Sequence, residues 1–351
     1  MDFLEYRIQF IDQARGLGYQ DCEIETLLDY ALSLHEKGLP IIYDQEHLSL
    51  LLGYDYSFLL AISNSQQYFY RPYEIPKKHG GTRLILEPYP DLKDIQTWVL
   101  KNILEAASKE MVSPLAKAFV PEKNLRDNAR FHRNTNIVVA LDLHDFFGSI
   151  KESQVYEVFS KMGYKKPVVV FLTQLCTLGR CLPQGAPTSP MLSNMVFYDL
   201  DQRLFHYCRL RNIRYTRYAD DLTFSGEYID VNRLVKYVRM LVGTRRFKLN
   251  DEKTKVMRKG SCQMVTGVVV NKILQTPKKY RKKVRQEVYY CMKYGIANHM
   301  SRINLPTWIT KEDVYVHHLL GKVNYILQIN PKDEEFIKYR EWLNPHCSSL
   351  L

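Results

Sequence analysis

Two adjacent aspartates, Asp220 and Asp221, interrupt the segment RYTRYADDLTFSG, whose other residues are mostly aromatic, apolar or β-branched. Neighbouring carboxylates repel each other, and their burial costs free energy unless a cation lies between them. A third carboxylate, Asp142, follows the apolar run NIVVAL, which predicts a buried strand that ends in acids. If this strand lies beside the two aspartates, the three carboxylates predict a two-Mg²⁺ site for in-line phosphoryl displacement. The alternative is a solvated turn, which Asp also favours.

The segment LPQGAPTSP adds Gln184 and Gly185. A small residue with an accessible backbone is suited to the close approach of a nucleotide or a template strand. An ordinary Pro/Gly loop is the alternative for this segment taken alone.

The hydrophobic pattern predicts mixed strands and helices, an α+β organisation rather than a doubly wound one. Strands are expected in YFYRPYEIPKKHGGTRLILEP with a Gly80-Gly81 turn, in NIVVALDLHDFF, in IRYTRYADDLTFSG as a hairpin bending near Ala219 to Asp221, and in CQMVTGVVVN as one strand. Helices are expected within residues 21–62, from Asp91 to Ala107, in ESQVYEVFSKMGY, in PTSPMLSNMVFYDLDQRLFHYCRL, in DVNRLVKYVRMLVGTRRF, and from Lys278 onward.

Composition narrows the class of partner. The chain has 351 residues, with 49 Lys+Arg against 38 Asp+Glu and a net charge of +11, which favours a phosphate-bearing partner. No apolar run approaches the roughly 18 residues of a spanning helix, and the acidic N-terminal segment is not typical of a signal peptide, so we expect a cytoplasmic protein without a membrane partner. The seven scattered cysteines favour reduced thiols over a zinc site.

Asp142, Pro-Gln-Gly and Tyr-Ala-Asp-Asp follow one another at spacings of about forty residues. This order resembles the palm motifs of the reverse transcriptases, and the resemblance extends from about residue 38 to residue 331. It implies a right-hand polymerase fold, with fingers, a palm built on a small antiparallel sheet, and a helical thumb. The implied boundaries are an N-terminal helical extension at 1–67, fingers at 68–137 and 165–186, a palm at 138–164 and 187–272, and a basic thumb at 273–351.

The same resemblance implies roles for individual residues. In DLHDFF, Asp142 would be a metal ligand together with Asp220 and Asp221, and Leu143 would contribute a backbone ligand. The metal would be a pair of Mg²⁺ ions, with Mn²⁺ as a possible substitute. Asp145 would lie near the incoming triphosphate, and Phe147 would lie against a ribose 2′-OH. Gln184 and Gly185 would lie near the nucleotide, and the triphosphate would be bound by Lys77, Lys78 and Arg83. Lys253 would be the acid that protonates pyrophosphate. For the basic residues the alternative is a solvated surface charge.

Two further elements resemble bacterial retron reverse transcriptases, in which they are associated with recognition of a structured RNA. DNARFH contains Asn128, Ala129 and His132, and QMVTGVVVN contains Val265, Thr266 and Gly267. Either element alone is more typical of structure, since His132 could cap a core and Val-Thr-Gly is common where a strand ends.

The segment TPKKYRKKVRQEVYYCMKYG concentrates cations and aromatic residues. The basic residues expected to contact RNA are Lys278, Lys279, Arg281, Lys282, Lys283 and Arg285. Interleaved tyrosines, Tyr280, Tyr289 and Tyr290, could pack on sugars or bases. A solvated helical face is the usual alternative for a run of charges.

The resemblance therefore implies an RNA-directed DNA polymerase that uses deoxynucleotides and copies a cognate structured noncoding RNA into a branched RNA-DNA hybrid (msDNA). It also implies trimming of the template by a host RNase H and a defence role with a separate effector protein. Two alternatives remain open at this point. The chain could belong to another reverse transcriptase class, abortive-infection or diversity-generating, or it could be a non-catalytic RNA-binding scaffold on a polymerase fold.

Overall fold

A computed structural model describes residues 2–77 and 80–347. The helices are α1 (Phe3–Gly16), α2 (Asp21–Glu36), α3 (Gln45–Leu52), α4 (Tyr56–Asn64), α5 (Pro90–Val99), α6 (Glu105–Met111), α7 (Leu125–Arg130), α8 (Phe146–Ser149), α9 (Glu152–Met162), α10 (Lys166–Cys176), α11 (Ser189–Val196), α12 (Tyr198–Arg209), α13 (Val231–Gly243), α14 (Lys278–Tyr294), α15 (Ile296–Met300), α16 (Glu312–Ile329) and α17 (Glu334–Leu343). The strands are β1 (Tyr70–Pro76), β2 (Thr82–Pro88), β3 (Ile137–His144), β4 (Arg214–Tyr218), β5 (Asp221–Gly226), β6 (Lys248–Arg258), β7 (Met264–Val265) and β8 (Val268–Val269). Short 3₁₀ turns span Gln66–Phe69 and Asn344–His346, and one π-helical turn, Leu100–Leu104, joins α5 to α6.

The central sheet has four strands in the order β4-β5-β3-β6. Strands β4 and β5 form the predicted hairpin, with Ala219 and Asp220 as its two-residue bend. Strand β3 runs antiparallel to β5 with Asp142 directly opposite Asp221, so the acidic end of β3 lies beside the bend. The expected proximity of these two strands is confirmed.

The chain divides into two compact units. The first comprises residues 1–120, 143–206 and 236–250, and contains the separate β1-β2 hairpin. An aromatic cluster of Phe146, Phe197 and Phe247 stabilises it, with ring centroids 5.2–6.0 Å apart.

The second unit comprises residues 121–142, 207–235 and 251–351. Its C-terminal helices have their own core, in which Val284 and Val288 of α14 pack with Leu319 and Val323 of α16 and Phe336 of α17. This arrangement follows from apolar residues at helical spacing on each helix.

One strand prediction is wrong in detail. CQMVTGVVVN is a tight hairpin, β7-β8, and not a single strand. Thr266 (φ +46°) and Gly267 (φ +85°) form its bend, and positive φ at both central positions is what a two-residue hairpin loop of this hand requires. In the described residues, none of the helices is both long and apolar enough to cross a membrane.

Candidate active site

Asp142, Asp221 and Lys253 form a charged cluster at one end of the central sheet. Lys253, on β6, donates hydrogen bonds from Nζ to both carboxylate oxygens of Asp142, at 2.9 and 3.0 Å. Burial, reinforced by the negative charges of Asp220 and Asp142 and opposed by Lys253 and Lys255, raises the pKa of Asp221 to about 6. Asp220 and Asp142 therefore lie close enough to Asp221 to disfavour its ionisation, as expected for a site that receives a cation.

The donor set fits a hard divalent cation bound together with a substrate. Within residues 2–77 and 80–347, no three His, Cys, Asp or Glu side chains are gathered tightly enough to form a ready-made metal cage. Mg²⁺ is usually bound by one or two carboxylates plus water and phosphate oxygens, so a complete protein cage is not needed. Two observations indicate that this site favours positive charge. Asp220 and Asp142 repel the carboxylate of Asp221, and Asp142 already binds the ammonium group of Lys253.

A buried arginine, Arg217, is hydrogen-bonded to the hairpin bend, and the sequence analysis did not identify it. Arg217 is fully buried and donates a hydrogen bond from Nη1 to the carbonyl oxygen of Ala219, at 3.3 Å. Ala219 has φ +55°, an uncommon conformation for a residue with a Cβ. The available signal was a cation within a short strand, two residues before Ala219.

The Pro-Gln-Gly loop packs against strand β2 of the first unit. The amide of Leu86 donates to the carbonyl oxygen of Gln184 at 2.8 Å. Gly185 has φ +131°, and a Cβ at this position would lie 2.7 Å from the carbonyl oxygen of Leu86. Glycine is therefore required here by the close approach of two backbones.

Asp145 and Phe147 follow β3 in the first unit. Asp145 is exposed with φ +43°, and its carboxylate overlies Gly148, where a Cβ would lie 2.3 Å from Oδ2. Phe147 is half-buried. Leu143, one residue after Asp142, is buried, so its side chain has a packing role whatever its backbone binds.

The predicted triphosphate-binding residues lie on the β1-β2 hairpin. Lys77 and Arg83 are exposed, and the amide of Lys77 donates to the carbonyl oxygen of Gly81 at 2.9 Å. Lys78 lies outside the described residues.

Asn128 and His132 belong to a buried hydrogen-bond network. Thr216 Oγ1 donates to Asn128 Oδ1 at 2.5 Å, and Asn128 Nδ2 donates to Thr266 Oγ1 at 3.3 Å. Because the Thr216 proton is used in this way, Thr216 must accept from His132 Nε2, 2.7 Å away, and His132 Nδ1 accepts from Ser225 Oγ at 2.8 Å. A neutral imidazole with its proton on Nε2 therefore gives each of these hydrogen bonds one donor and one acceptor.

The surroundings keep this imidazole neutral. Burial, with a smaller contribution from the charge of Arg214, lowers the pKa of His132 to about 3. Arg214, on β4, donates to the carbonyl oxygens of Phe131 and Arg133 just beyond helix α7. Arg214 and Thr216 of the β4-β5 hairpin thus both hold the segment that carries Asn128.

The expectation that Asn128, Ala129, His132 and Val265 contact RNA directly is not met. Each is at most 1% exposed, and Ala129 and Val265 share one hydrophobic cluster. These residues position the β7-β8 bend, where Gly267 is exposed and Thr266 is half-buried.

Helix α14 divides its basic residues between two roles. Arg281 pairs with the buried Asp333, N to O 3.0 Å, and Arg285 pairs with Glu335, so both tie the helix to neighbouring chain segments. Lys283 lies 3.9 Å from Glu287 but is 73% exposed. Lys278, Lys279 and Lys282, also predicted to contact RNA, are exposed as well. Of the three tyrosines, Tyr289 is exposed, whereas Tyr280 packs on Tyr325 and Tyr290 packs on His299.

Comparison with known proteins places this geometry in a family. Residues 75–290 match the family model described as reverse transcriptase (RNA-dependent DNA polymerase). The chain is 32% identical over 342 residues to the Retron Mx65 reverse transcriptase of Myxococcus xanthus, which covers 90% of this chain and 75% of that protein. It is also 32% identical over 276 residues to the Retron Ec86 reverse transcriptase of Escherichia coli, covering 76% and 84% respectively. Apo telomerase from Candida Tropicalis has a similar fold, with a TM-score of 0.51 and 12% identity, covering 80% of this chain and 58% of that chain.

Proposed function

Since this chain belongs to the retron reverse transcriptases and is an RNA-directed DNA polymerase with the right-hand fold, we propose that it copies one structured noncoding RNA into a branched RNA-DNA hybrid. The observation that carries the catalytic part is the register that sets Asp142 opposite Asp221, with Lys253 bonded to Asp142. In the proposed reaction the oxygen of a primer hydroxyl forms a bond to the α-phosphorus of a deoxynucleotide. The bond from that phosphorus to the bridging oxygen breaks, and pyrophosphate leaves.

Asp142, Asp220 and Asp221, with the backbone carbonyl of Leu143, are the proposed ligands of two Mg²⁺ ions, for which Mn²⁺ could substitute. When bound, such ions stabilise the attacking and leaving oxygens of the displacement. The raised pKa of Asp221 and the cluster of negative charge support this assignment.

Lys253 is proposed to have two successive roles. Without substrate it neutralises Asp142, as its two hydrogen bonds indicate. Its side chain is 60% exposed, so it can leave the carboxylate and donate a proton to the departing pyrophosphate.

The nucleotide contacts that we propose involve the same residues that the sequence predicts. Arg83, Lys77 and Lys78 would bind the triphosphate, and an arginine suits this because its planar fork pairs with phosphate oxygens. Phe147 would exclude a ribose 2′-OH, and Asp145 and Gln184 would lie near the nucleotide.

The RNA contacts are proposed to involve the exposed bend at Gly267 and the exposed lysines of α14. Lysine contacts to phosphate give affinity without base specificity, so selectivity must come from the shape of the RNA. Priming from a 2′-OH of the RNA, trimming by a host RNase H, and a defence role with a separate effector protein complete the proposal.

The metal-site part is tested by Asp220→Asn/Asp221→Asn, which retains side-chain size while removing both charges. DNA synthesis on an annealed primer and template should fall by orders of magnitude, while RNA binding and the thermal midpoint of unfolding stay near those of the parent. Lys272→Gln, at an exposed lysine, is the matched control. Synthesis near the parent rate in the double variant would contradict the assignment.

The retron-specific part is tested with the unaltered protein and the RNA encoded beside its gene. We expect DNA synthesis without an added primer on this RNA, and a product that retains an RNase-resistant branch. Unrelated hairpin RNAs of equal length should support synthesis only when a primer is annealed. Equal unprimed synthesis on both RNAs, or none on either, would leave a generic reverse transcriptase.

A further inference from the structure

Phe119 has an unusual combination of backbone conformation and exposure. Its φ is +59°, a value that bulky residues rarely adopt, and its side chain is 44% exposed. Burial of a large apolar side chain does not explain the position. Strained residues persist only where the surrounding structure over-determines them, and they concentrate at functional sites.

The chain around Phe119 is firmly held. The preceding residue, Ala118, is 2% exposed, and its carbonyl oxygen accepts a hydrogen bond from Nδ2 of the fully buried Asn194 at 2.9 Å. Ala116 is 1% exposed. The exposed ring therefore projects from an anchored segment.

The ring of Phe119 contacts Phe147. Their centroids are 6.3 Å apart with the planes tilted by 50°. Phe147 also contacts Phe146, at 5.5 Å, and Phe146 is fixed in the aromatic cluster with Phe197 and Phe247. All of these residues belong to the first compact unit. Phe147 is thus oriented by a buried ring and by an exposed ring held in a strained conformation.

We propose that Phe119 is a positioning residue for sugar selection: its ring keeps Phe147 in the orientation that excludes a ribose 2′-OH. This inference rests on the proposed role of Phe147. Without Phe119, the half-buried Phe147 ring retains only the contact with Phe146 among these aromatic neighbours. Its side chain then gains rotamer freedom, and a 2′-OH meets less resistance.

The backbone conformation makes the test sharp. Phe119→Gly removes the ring, and glycine adopts a φ of +59° more readily than any other residue. The variant should therefore be at least as stable as the parent. Phe119→Asn is a second ringless variant that tolerates the left-handed region. Phe119→Tyr retains the ring and is the conservative control.

The measured quantity is the ratio of kcat/KM for a dNTP to that for the matching rNTP, on a supplied primer and template. Phe119→Gly and Phe119→Asn should lower this ratio by roughly 2- to 10-fold, the range expected for loss of one aromatic pair. Phe119→Tyr should retain the parent ratio. Phe147→Ala should lower the ratio further, and Phe119→Gly should have no additional effect in that background, because Phe119 acts through Phe147.

The outcomes separate the inference from the proposed function. If Phe147→Ala lowers the ratio but both ringless Phe119 variants keep the parent value, the inference is wrong and the role of Phe147 stands. Additive effects in the double variant would also overturn it, because Phe119 would then act independently. If Phe147→Ala leaves the ratio unchanged, the proposed role of Phe147 fails, and the inference fails with it.

Discussion

His132 should make the stability of this protein depend on pH in a calculable way. The folded protein holds its imidazole neutral, because burial and Arg214 lower its pKa to about 3. In the unfolded chain a histidine has a pKa of about 6.5. Between these two values the unfolded chain binds a proton that the folded chain does not, so the free energy of unfolding falls as the pH is lowered through this window.

The magnitude follows from the two pKa values. Each pH unit well below 6.5 costs about 1.4 kcal/mol, and lowering the pH from 7 to 5 should remove about 2 kcal/mol through His132 alone. Above about pH 6.5 His132 is neutral in most molecules of both the folded and the unfolded state, so it hardly lowers the free energy of unfolding. As the pH falls from about 6.5 towards 3, the reduction in the free energy of unfolding grows progressively.

The perturbation is His132→Gln, which removes the titrating group. At pH 7 the variant should be less stable, by about 1–3 kcal/mol, because Ser225 and Thr216 each lose a partner. Between pH 7 and pH 5, however, it should lose about 2 kcal/mol less than the parent. The difference between parent and variant isolates this group, since His47, His299 and His318, whose pKa values are also lowered, remain in both proteins.

Urea denaturation at half-unit intervals from pH 7 to pH 5 measures the effect. His206→Gln, at an exposed histidine, is the control and should retain the parent pH dependence. Parallel curves for the parent and His132→Gln would refute a buried, neutral imidazole, and would imply that the ring is protonated or solvent-accessible in the folded protein.

Two further predictions concern residues whose surroundings the structure defines. Gly185→Ala should lower the free energy of unfolding by about 1–3 kcal/mol, because its Cβ would lie 2.7 Å from the Leu86 carbonyl oxygen at φ +131°; an unchanged urea midpoint would contradict this close approach. Arg281→Gln should lower the free energy of unfolding by about 3 kcal/mol, because it leaves the buried Asp333 unpaired. Lys282→Gln, at the neighbouring exposed position, should lower it by less than about 0.5 kcal/mol. The same Lys282→Gln change should reduce the salt dependence of RNA binding by about one charge. Equal effects of the two substitutions on both measurements would refute the division of α14 into a packing face and a phosphate-facing side.

Local sequence patterns predicted the parts of the site that local physics determines. The YADD hairpin was predictable because β-branched and aromatic residues flank a short polar bend, and the strand before Asp142 because an apolar run ends in acids. Local pattern does not determine that these strands are neighbours, which the three-carboxylate hypothesis required as a condition, and the register of β3 and β5 meets it.

The buried network was not predictable in this way. It joins Thr216 to Asn128, 88 residues apart in sequence, and Asn128 to Thr266, 138 residues apart. No periodicity encodes such contacts; the RNA role of DNARFH is implied by the family resemblance, and a core-capping His132 is the alternative. Burial of Asn128 and His132, which depends on the packing of distant segments, favours that alternative.

Helix α14 shows the same limit on a smaller scale. Its run of cations predicted a basic surface, but a helix turns about 100° per residue, so consecutive charges point in different directions. Arg281 and Arg285, four residues apart, lie along one face and pair with acids of the C-terminal segment, while Lys282 is exposed. Only the fold decides which charges remain available to RNA.

The direction of the buried hydrogen bonds gives the element around Asn128 and His132 a physical role. Ser225 donates to His132, His132 to Thr216, Thr216 to Asn128, and Asn128 to Thr266, so one ordered series connects the β4-β5 hairpin to the β7-β8 bend. A protonated His132 would have to donate at both ring nitrogens, and Ser225 could then no longer donate to it. The neutral imidazole that burial and the charge of Arg214 favour is the form that fits this order of donation. Side-chain hydrogen bonds thus connect the β7-β8 bend to β4 and β5, the two strands on either side of the bend at Ala219 and Asp220.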